Sequence, residues 1–213
     1  MGQRQILNDC RRIVIKIGTS TLTHSNGQLN LRRIEYLVRE IADLHNQDLE
    51  VVVVSSGAIG VGANRMGYRQ VPKTMPEKQA LAAIGQGALL HLYEKLFAEY
   101  SKTVAQVLIT RGDFDERLRY LNATNALLAL LNMKVIPIVN ENDTVVVEEI
   151  KFGDNDTLSA VVAGVVDADL LIILSDVDGF YDHDPRKDKQ ARLLREVNEV
   201  TADMEDNSRN RGS

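Results

Sequence analysis

Short, mainly aliphatic runs recur along the chain, each followed by a polar step. Ile13–Ile17, Val51–Val54, Val104–Ile109, Val135–Val139 and Leu170–Leu174 are the five runs. Their length, β-branched content and turn-like flanks predict buried strands. Between them the apolar period changes to that of a helix. Leu31, Ile34, Leu37, Val38, Ile41 and Leu44 form one stripe, with Asn30 as its N-cap. Pro76 predicts a helix from Glu77 towards Tyr100, its middle weakened by Gly85 and Gly87. Further helices are expected over Asp115–Met133 and Thr157–Val166.

Apolar strands alternating with helices predict an α/β fold: a parallel sheet covered on both faces. Three segments fit less simply. Pro137 is unusual for a central strand. Thr144–Phe152 alternates weakly, as a hairpin or edge ribbon would, and Leu193–Val200 is too short to assign. Residues 206–213 contain no apolar side chain and are expected to be disordered. The whole of 1–213 reads as one domain without a linker.

Composition narrows the class. With 213 residues, 44% apolar and 26% charged, the chain suits a soluble globular α/β domain. A net charge of −5 and no dense basic patch argue against nucleic acid as a partner. Cys10 is the single cysteine, which excludes an internal disulfide and a cysteine zinc site and fits a reducing cytoplasm. No apolar run has membrane-spanning length, and the charged first residues do not form a signal peptide. The expectation is a cytoplasmic enzyme with no membrane partner.

In an open parallel sheet, ligands sit beyond the carboxyl ends of the strands. There the sequence places Lys16, then Ser56-Gly57, then Asn140–Asp143, then Ser175-Asp176. Asp143, Asp154 and Asp156 brought together would repel, each close pair costing about 4 kcal/mol at an effective dielectric near 20. A cation must offset this: Lys16, a metal, or a substrate ammonium. A lysine, acids and small-residue loops with free N–H groups are the parts that phosphoryl transfer uses. Simpler readings remain open here. Asp-Asn-Asp before a helix is also ordinary N-cap chemistry, and Lys16 could be a strand-end lysine reaching water. The four histidines lack ligand spacing, so no metal site is expected from them. Neither GxxxxGK[ST] nor GxGxxG occurs.

Five ordered motifs decide between these readings. IVIKIGTSTLT (Ile13–Thr23), VVVVSSGAIGVG (Val51–Gly62), VIPIVNENDTV (Val135–Val145), KFGDND (Lys151–Asp156) and LSDVDGFYDHDPR (Leu174–Arg186) together resemble the amino acid kinase family. Within it they look most like the kinases that act on the side-chain carboxylate of glutamate. The intervening MGYRQVP, KQALAAIGQG and LITRGDFDERLRYLNA also fit, so the resemblance runs from Arg12 to about Val200.

The resemblance implies a three-layer αβα sandwich around a mainly parallel sheet, using ATP with Mg2+. It implies that Lys16 contacts the ATP phosphates, helped by Gly18, Thr19 and Ser20. Ser56, Gly57, Ala58, Asp143 and Asn155 would bind L-glutamate, with Asp143 meeting the ammonium. Asp156 would organise Lys16, with Asp154 in support. Ser175, Asp176 and the Phe180–Pro185 loop, Tyr181 included, would form the nucleotide side. The product would be glutamyl 5-phosphate, handed to glutamyl phosphate reductase, with proline as feedback inhibitor and a homo-oligomeric assembly. Acetylglutamate as substrate, or a catalytically incomplete module binding glutamate or proline, are the alternatives. One departure matters: relatives continue with a glycine-rich GTGGMxTK stretch supplying a second lysine, and many add an RNA-binding-like domain. Neither occurs in these 213 residues, so the kinase domain is expected to be incomplete at its C-terminal end.

Overall fold

The computed structural model describes residues 9–24, 26–146, 155–183, 185, 188 and 190–200. Asp154 with the rest of Lys151–Asp154, most of the Thr144–Phe152 ribbon, and 206–213 lie outside the described residues. Contacts divide the chain into two compact units, Met1–Leu174 and Ser175–Ser213.

The first unit runs β1 (Arg12–Ile17), α1 (Thr19–Leu22), α2 (Leu31–Asn46), β2 (Glu50–Ser55), α3 (Ala58–Arg65), α4 (Met75–Ala98), β3 (Val104–Ile109), α5 (Gly112–Asp115), α6 (Arg117–Asn132), β4 (Ile136–Glu141), α7 (Asn155–Val165) and β5 (Leu170–Leu174). The five strands pair in the order β3-β4-β2-β1-β5, every pair parallel. Successive side chains of a strand point to opposite faces. Ile13, Ile15, Val51 and Val53 therefore pack with Ile34, Val38 and Ile41 of α2 and with Tyr93 and Phe97 of α4. Val14, Val52 and Val54 meet Leu127 and Leu131 of α6 and Leu158 and Val162 of α7. Both faces are covered, which is why the interior strands β1 and β2 are so rich in aliphatic residues. The three-layer expectation holds. So does the α2 cap: Asn30 Oδ1 accepts from the Arg33 N–H at 3.1 Å.

The structure adds detail to three of these readings. A helix, α3, follows β2 across the Ser56-Gly57 step, a helix to which the sequence reading gave no bounds. The expected Asp115–Met133 helix is α6, beginning two residues later because Glu116 is extended (φ −100°, ψ 118°), and a separate short helix, α5, precedes it. Asp113 Oδ2 accepts from both the N–H and the hydroxyl of Thr110 at 2.7 Å, a local hold that competes with continuous helix. Pro137 does sit in an interior strand. The Ile136 N–H donates to Thr103 on the β3 side, so the donor that proline lacks falls on the β2 side, where the register begins only at Ile138.

Gly85 carries a different meaning from the one its helix propensity suggests. α3 and α4 cross in backbone contact: a Cβ at Gly85 would lie 1.7 Å from the Ala58 carbonyl oxygen, and one at Gly62 would lie 1.9 Å from that of Leu81. Only glycine permits this approach. It ties the first residue of α3 to the middle of α4.

In the second unit, β6 (Phe180–Tyr181) pairs antiparallel with β7 (Leu193–Leu194). Asp182 accepts from the Arg192 N–H at 2.7 Å, which with the neighbouring His183 holds its carboxyl below the usual range.

The crossing yields a paired test. Gly85→Ala forces α3 and α4 apart and should destabilise the chain by about 2–3 kcal/mol, the range for overpacking. Gly87→Ala, where an added Cβ meets nothing within 4 Å, should stabilise by about 0.5–1 kcal/mol. Denaturant midpoints of both variants check the contrast; equal effects would refute the crossing.

Candidate active site

Because every strand runs the same way, their polar ends collect along one edge of the sheet. There Lys16, Thr19, Ser56–Gly60, Val71, Asn140, Glu141, Asp143 and Asn155 line a cleft of about 500 Å³. Four structural steps build it.

Lys16 lies on β1 between apolar neighbours and is only 9% exposed. Its ammonium forms an ion pair with Asp156 Oδ1, in the first turn of α7. That oxygen is buried, and Lys16 is its one recorded partner among the described residues. Removing either member of a buried pair leaves an uncompensated charge.

The turn after β1 is a small-residue step. A Cβ on Gly18 would come within 3.4 Å of Lys16 Nζ and 3.1 Å of the Leu174 carbonyl oxygen, so the chain passes closely there. The Gly18 N–H itself donates to that carbonyl at 3.2 Å. The N–H groups of Thr19 and Ser20 are therefore the ones this loop presents.

Gly57 ends β2 with φ 86° and caps α3 without a side-chain bond. Its positive φ is the reason for glycine here. A Cβ on it would also approach Thr19 Cγ2 to 3.2 Å, so the two turns touch. The first N–H groups of a helix have no internal acceptor. Those of Ala58, Ile59 and Gly60 thus form a donor-rich wall.

Asn155 ties the pieces together. Its Nδ2 donates to the Ser55 carbonyl at 2.7 Å, to Ser56 Oγ at 2.9 Å and to Asn140 Oδ1 at 3.0 Å. A backbone carbonyl can only accept, so the NH2 end must face inward. Asn155 Oδ1 is then the atom of this amide left to meet a ligand. Asn140 Oδ1 also accepts from the Glu141 N–H at 2.9 Å.

Of the residues expected from sequence, Lys16, Gly18, Thr19, Ser20, Ser56, Gly57, Ala58, Asp143, Asn155 and Asp156 all belong to this edge of the first unit. Ser175, Asp176 and Tyr181 belong to the second unit, where Ser175 Oγ donates to Asp176 Oδ1 at 3.3 Å and Tyr181 lies on β6. Ile59, Gly60 and Val71 line the cleft without having been expected as site residues. Asn140 and Glu141, expected at this edge together with Asn142 and Asp143, line the cleft and are both buried. Val71 comes from the α3–α4 connection, which carries no chemical signal. Among the described residues no cluster of three metal-ligating side chains occurs, and no helix is long and apolar enough to cross a membrane.

The sequence profile of the amino acid kinase family matches residues 11–213. The chain belongs to that family. Within it, a glutamate 5-kinase of Clostridium acetobutylicum is 56% identical over 211 residues, covering 99% of this chain and 79% of the relative. One from Clostridium tetani is 55% identical over 203 residues, 95% of this chain and 76% of the relative. One from Carboxydothermus hydrogenoformans is 57% identical over 203 residues, but the match spans only 55% of its length. A parallel sheet with its polar groups at the carboxyl edge is therefore this amino acid kinase family member's inherited frame, and the cleft lies where that frame concentrates them.

The Asn155 hub makes an ordering testable. Asn155→Ala removes a donor and should cost about 1–3 kcal/mol of stability. Asn155→Asp sets a carboxylate against three oxygen atoms and should cost more at pH 7 than at pH 4, where protonation restores a donor. Urea titrations at both pH values check this; a smaller loss for Asp than for Ala at pH 7 refutes the assigned orientation.

Proposed function

We propose that this chain transfers the γ-phosphoryl group of ATP to the side-chain carboxylate of L-glutamate, forming glutamyl 5-phosphate and ADP, the first step of proline synthesis. The observation that carries the reading is a single cleft with a lysine–aspartate pair at one side and opposed donor and acceptor walls. Its support from relatives is their name and their 55–57% identity over nearly all of this chain.

The cleft volume of about 500 Å³ suits a small molecule rather than a polymer. Ser56 and the N–H groups at the start of α3 favour the α-carboxylate, since a helix N-terminus attracts anions. Asp143, with Glu141 and Asn155 Oδ1, offers acceptors for the ammonium. Acetylation removes that positive charge and adds bulk, so free glutamate fits this wall better than acetylglutamate. Proline shares the ammonium and α-carboxylate, and its feedback inhibition would act through the same two walls.

The nucleophile is already ionised near neutral pH, so no general base is needed. What the chain must supply is alignment and relief of repulsion between two anions. An ammonium has three donors. Lys16 can keep Asp156 and still direct a proton to the transferring phosphoryl oxygens, with the Thr19 and Ser20 N–H groups beside it. Asp156 is then the group that orients Lys16. Ser175, Asp176 and Tyr181 form the nucleotide side in this reading. Mg2+ characteristically binds through substrate phosphates plus one or two carboxylates, which suits a protein whose described residues hold no three-ligand cluster. Bound with ATP, it supplies charge neutralisation. Homo-oligomeric assembly, a cytoplasmic location and onward transfer to glutamyl phosphate reductase belong to the same proposal.

ADP release with glutamate, acetylglutamate and no acceptor tests it. Turnover should require glutamate; turnover with acetylglutamate alone would overturn the reading. Lys16→Ala should lower kcat by roughly a hundredfold or more while glutamate binding persists. Asp143→Ala should raise the glutamate KM roughly tenfold or more and change kcat less. The same modest loss in both variants would refute the assigned roles.

A further inference from the structure

Gln79, Gln86 and Tyr93 follow one another at seven-residue intervals along α4. Seven residues are nearly two helical turns, so the three lie on one stripe. Each reaches a different part of the cleft's framework from behind. Tyr93 OH and Ser55 Oγ share a buried hydrogen bond of 3.1 Å. Gln86 Nε2 donates to the Glu141 carbonyl at 3.1 Å, and Gln79 Nε2 donates to that of Val146 at 3.1 Å. None of the three lines the cleft. Their partners are the end of β2, the end of β4 and the turn that carries Asp143.

We propose that Gln79, Gln86 and Tyr93 are positioning residues that hold the substrate-binding walls in register against one helix. This rests on the glutamate reading of the cleft. Ser55 is the critical joint: its hydroxyl meets Tyr93, while its carbonyl receives the Asn155 amide at 2.7 Å. Ser56 and the Gly57 turn follow directly. Phe97, one turn further along α4, fills the same core without a hydroxyl, so packing alone does not call for tyrosine at 93. Burial pushes the Tyr93 phenol up to about 12, which keeps its proton in place throughout the neutral range. Gln86 is itself buried, and the Gln106 amide donates to its Oε1 at 3.5 Å, which fixes the end facing Glu141. A buried amide or hydroxyl is costly unless bonded, and these are bonded to the cleft's supports. Gly85 adds a fourth tie by bringing Ala58 against the same helix.

The test compares Tyr93→Phe, Ser55→Ala, their double variant and Gln86→Met in the 213-residue chain. KM for glutamate and ATP, kcat, the thermal midpoint and hydrogen–deuterium exchange over 55–60 and 141–146 are measured. Tyr93→Phe and Gln86→Met should each raise the glutamate KM about five- to tenfold, with kcat and the ATP KM within about twofold. The Tyr93–Ser55 double variant should be no worse than its worse single, as partners in one bond require. Exchange should quicken over 55–60 in Tyr93→Phe and over 141–146 in Gln86→Met. Unchanged KM and unchanged exchange beside a lowered midpoint would reduce these residues to packing and overturn the proposal. So would equal rises in both KM values. Should Tyr93→Phe fail to fold, Ser55→Ala decides the same bond. Absence of glutamate turnover by the wild-type chain would refute the functional reading, while the exchange data still decide the positioning role.

Discussion

A lysine ammonium held at the carboxyl end of a buried strand constrains everything around it. Lys16 cannot shed its charge into water at 9% exposure, so a carboxylate has to be brought to it. Asp156 supplies that carboxylate from the first turn of α7, which packs against β1, β2, β4 and β5. Asn155 precedes it and lands among Ser55, Ser56 and Asn140. One electrostatic requirement thus closes the cleft: satisfying Lys16 also delivers the amide that joins the other two walls.

The opposite side of the cleft is set by a contact of another kind. α3 and α4 approach until backbone meets backbone, which glycine alone allows at 62 and 85. Electrostatics fixes one side and steric closeness the other, and the two meet at the Ser55–Gly57 turn. This division has an energetic logic. A backbone crossing has few alternative geometries, because packed interiors cannot flow to accommodate an extra atom. The mobile and charged ligand is left to a surface whose support does not itself need to move.

Much of this was legible from residues alone, for identifiable reasons. Ile13–Ile17 and Val51–Val54 were legible as strands because an interior strand buried on both faces can carry little but aliphatics. The Asn30 cap was legible because capping is local. Gly85 was misread for the converse reason: helix propensity describes an isolated helix, whereas the value of this glycine lies in Ala58, distant in sequence. The fourth strand was read as ending at Val139, although β4 continues through Glu141 and buries it. Gln79 and Gln86 lay in a stretch that fitted the family and Tyr93 beyond it, but none was read as a support, since polar residues on a long helix ordinarily face water. The Lys16–Asp156 pairing stood between these cases. The repulsion among the acids demanded a cation, but only family resemblance chose Lys16 for it.

The pairing also bears on how such a site could favour the transition state over the ground state. With Asp156 beside it, Lys16 is close to electrically balanced before any nucleotide arrives. A lone buried ammonium would grip every anion strongly, bound substrate and transferring group alike, and uniform binding does not accelerate chemistry. A paired ammonium attracts a resting phosphate less. Its remaining donors gain most when negative charge concentrates on the oxygens of the group in flight. The second oxygen of Asp156 remains open to solvent, since that side chain is 46% exposed. In the proposed reading Asp156 thus keeps Lys16 charge-balanced while the ammonium's remaining donors serve the transferring group.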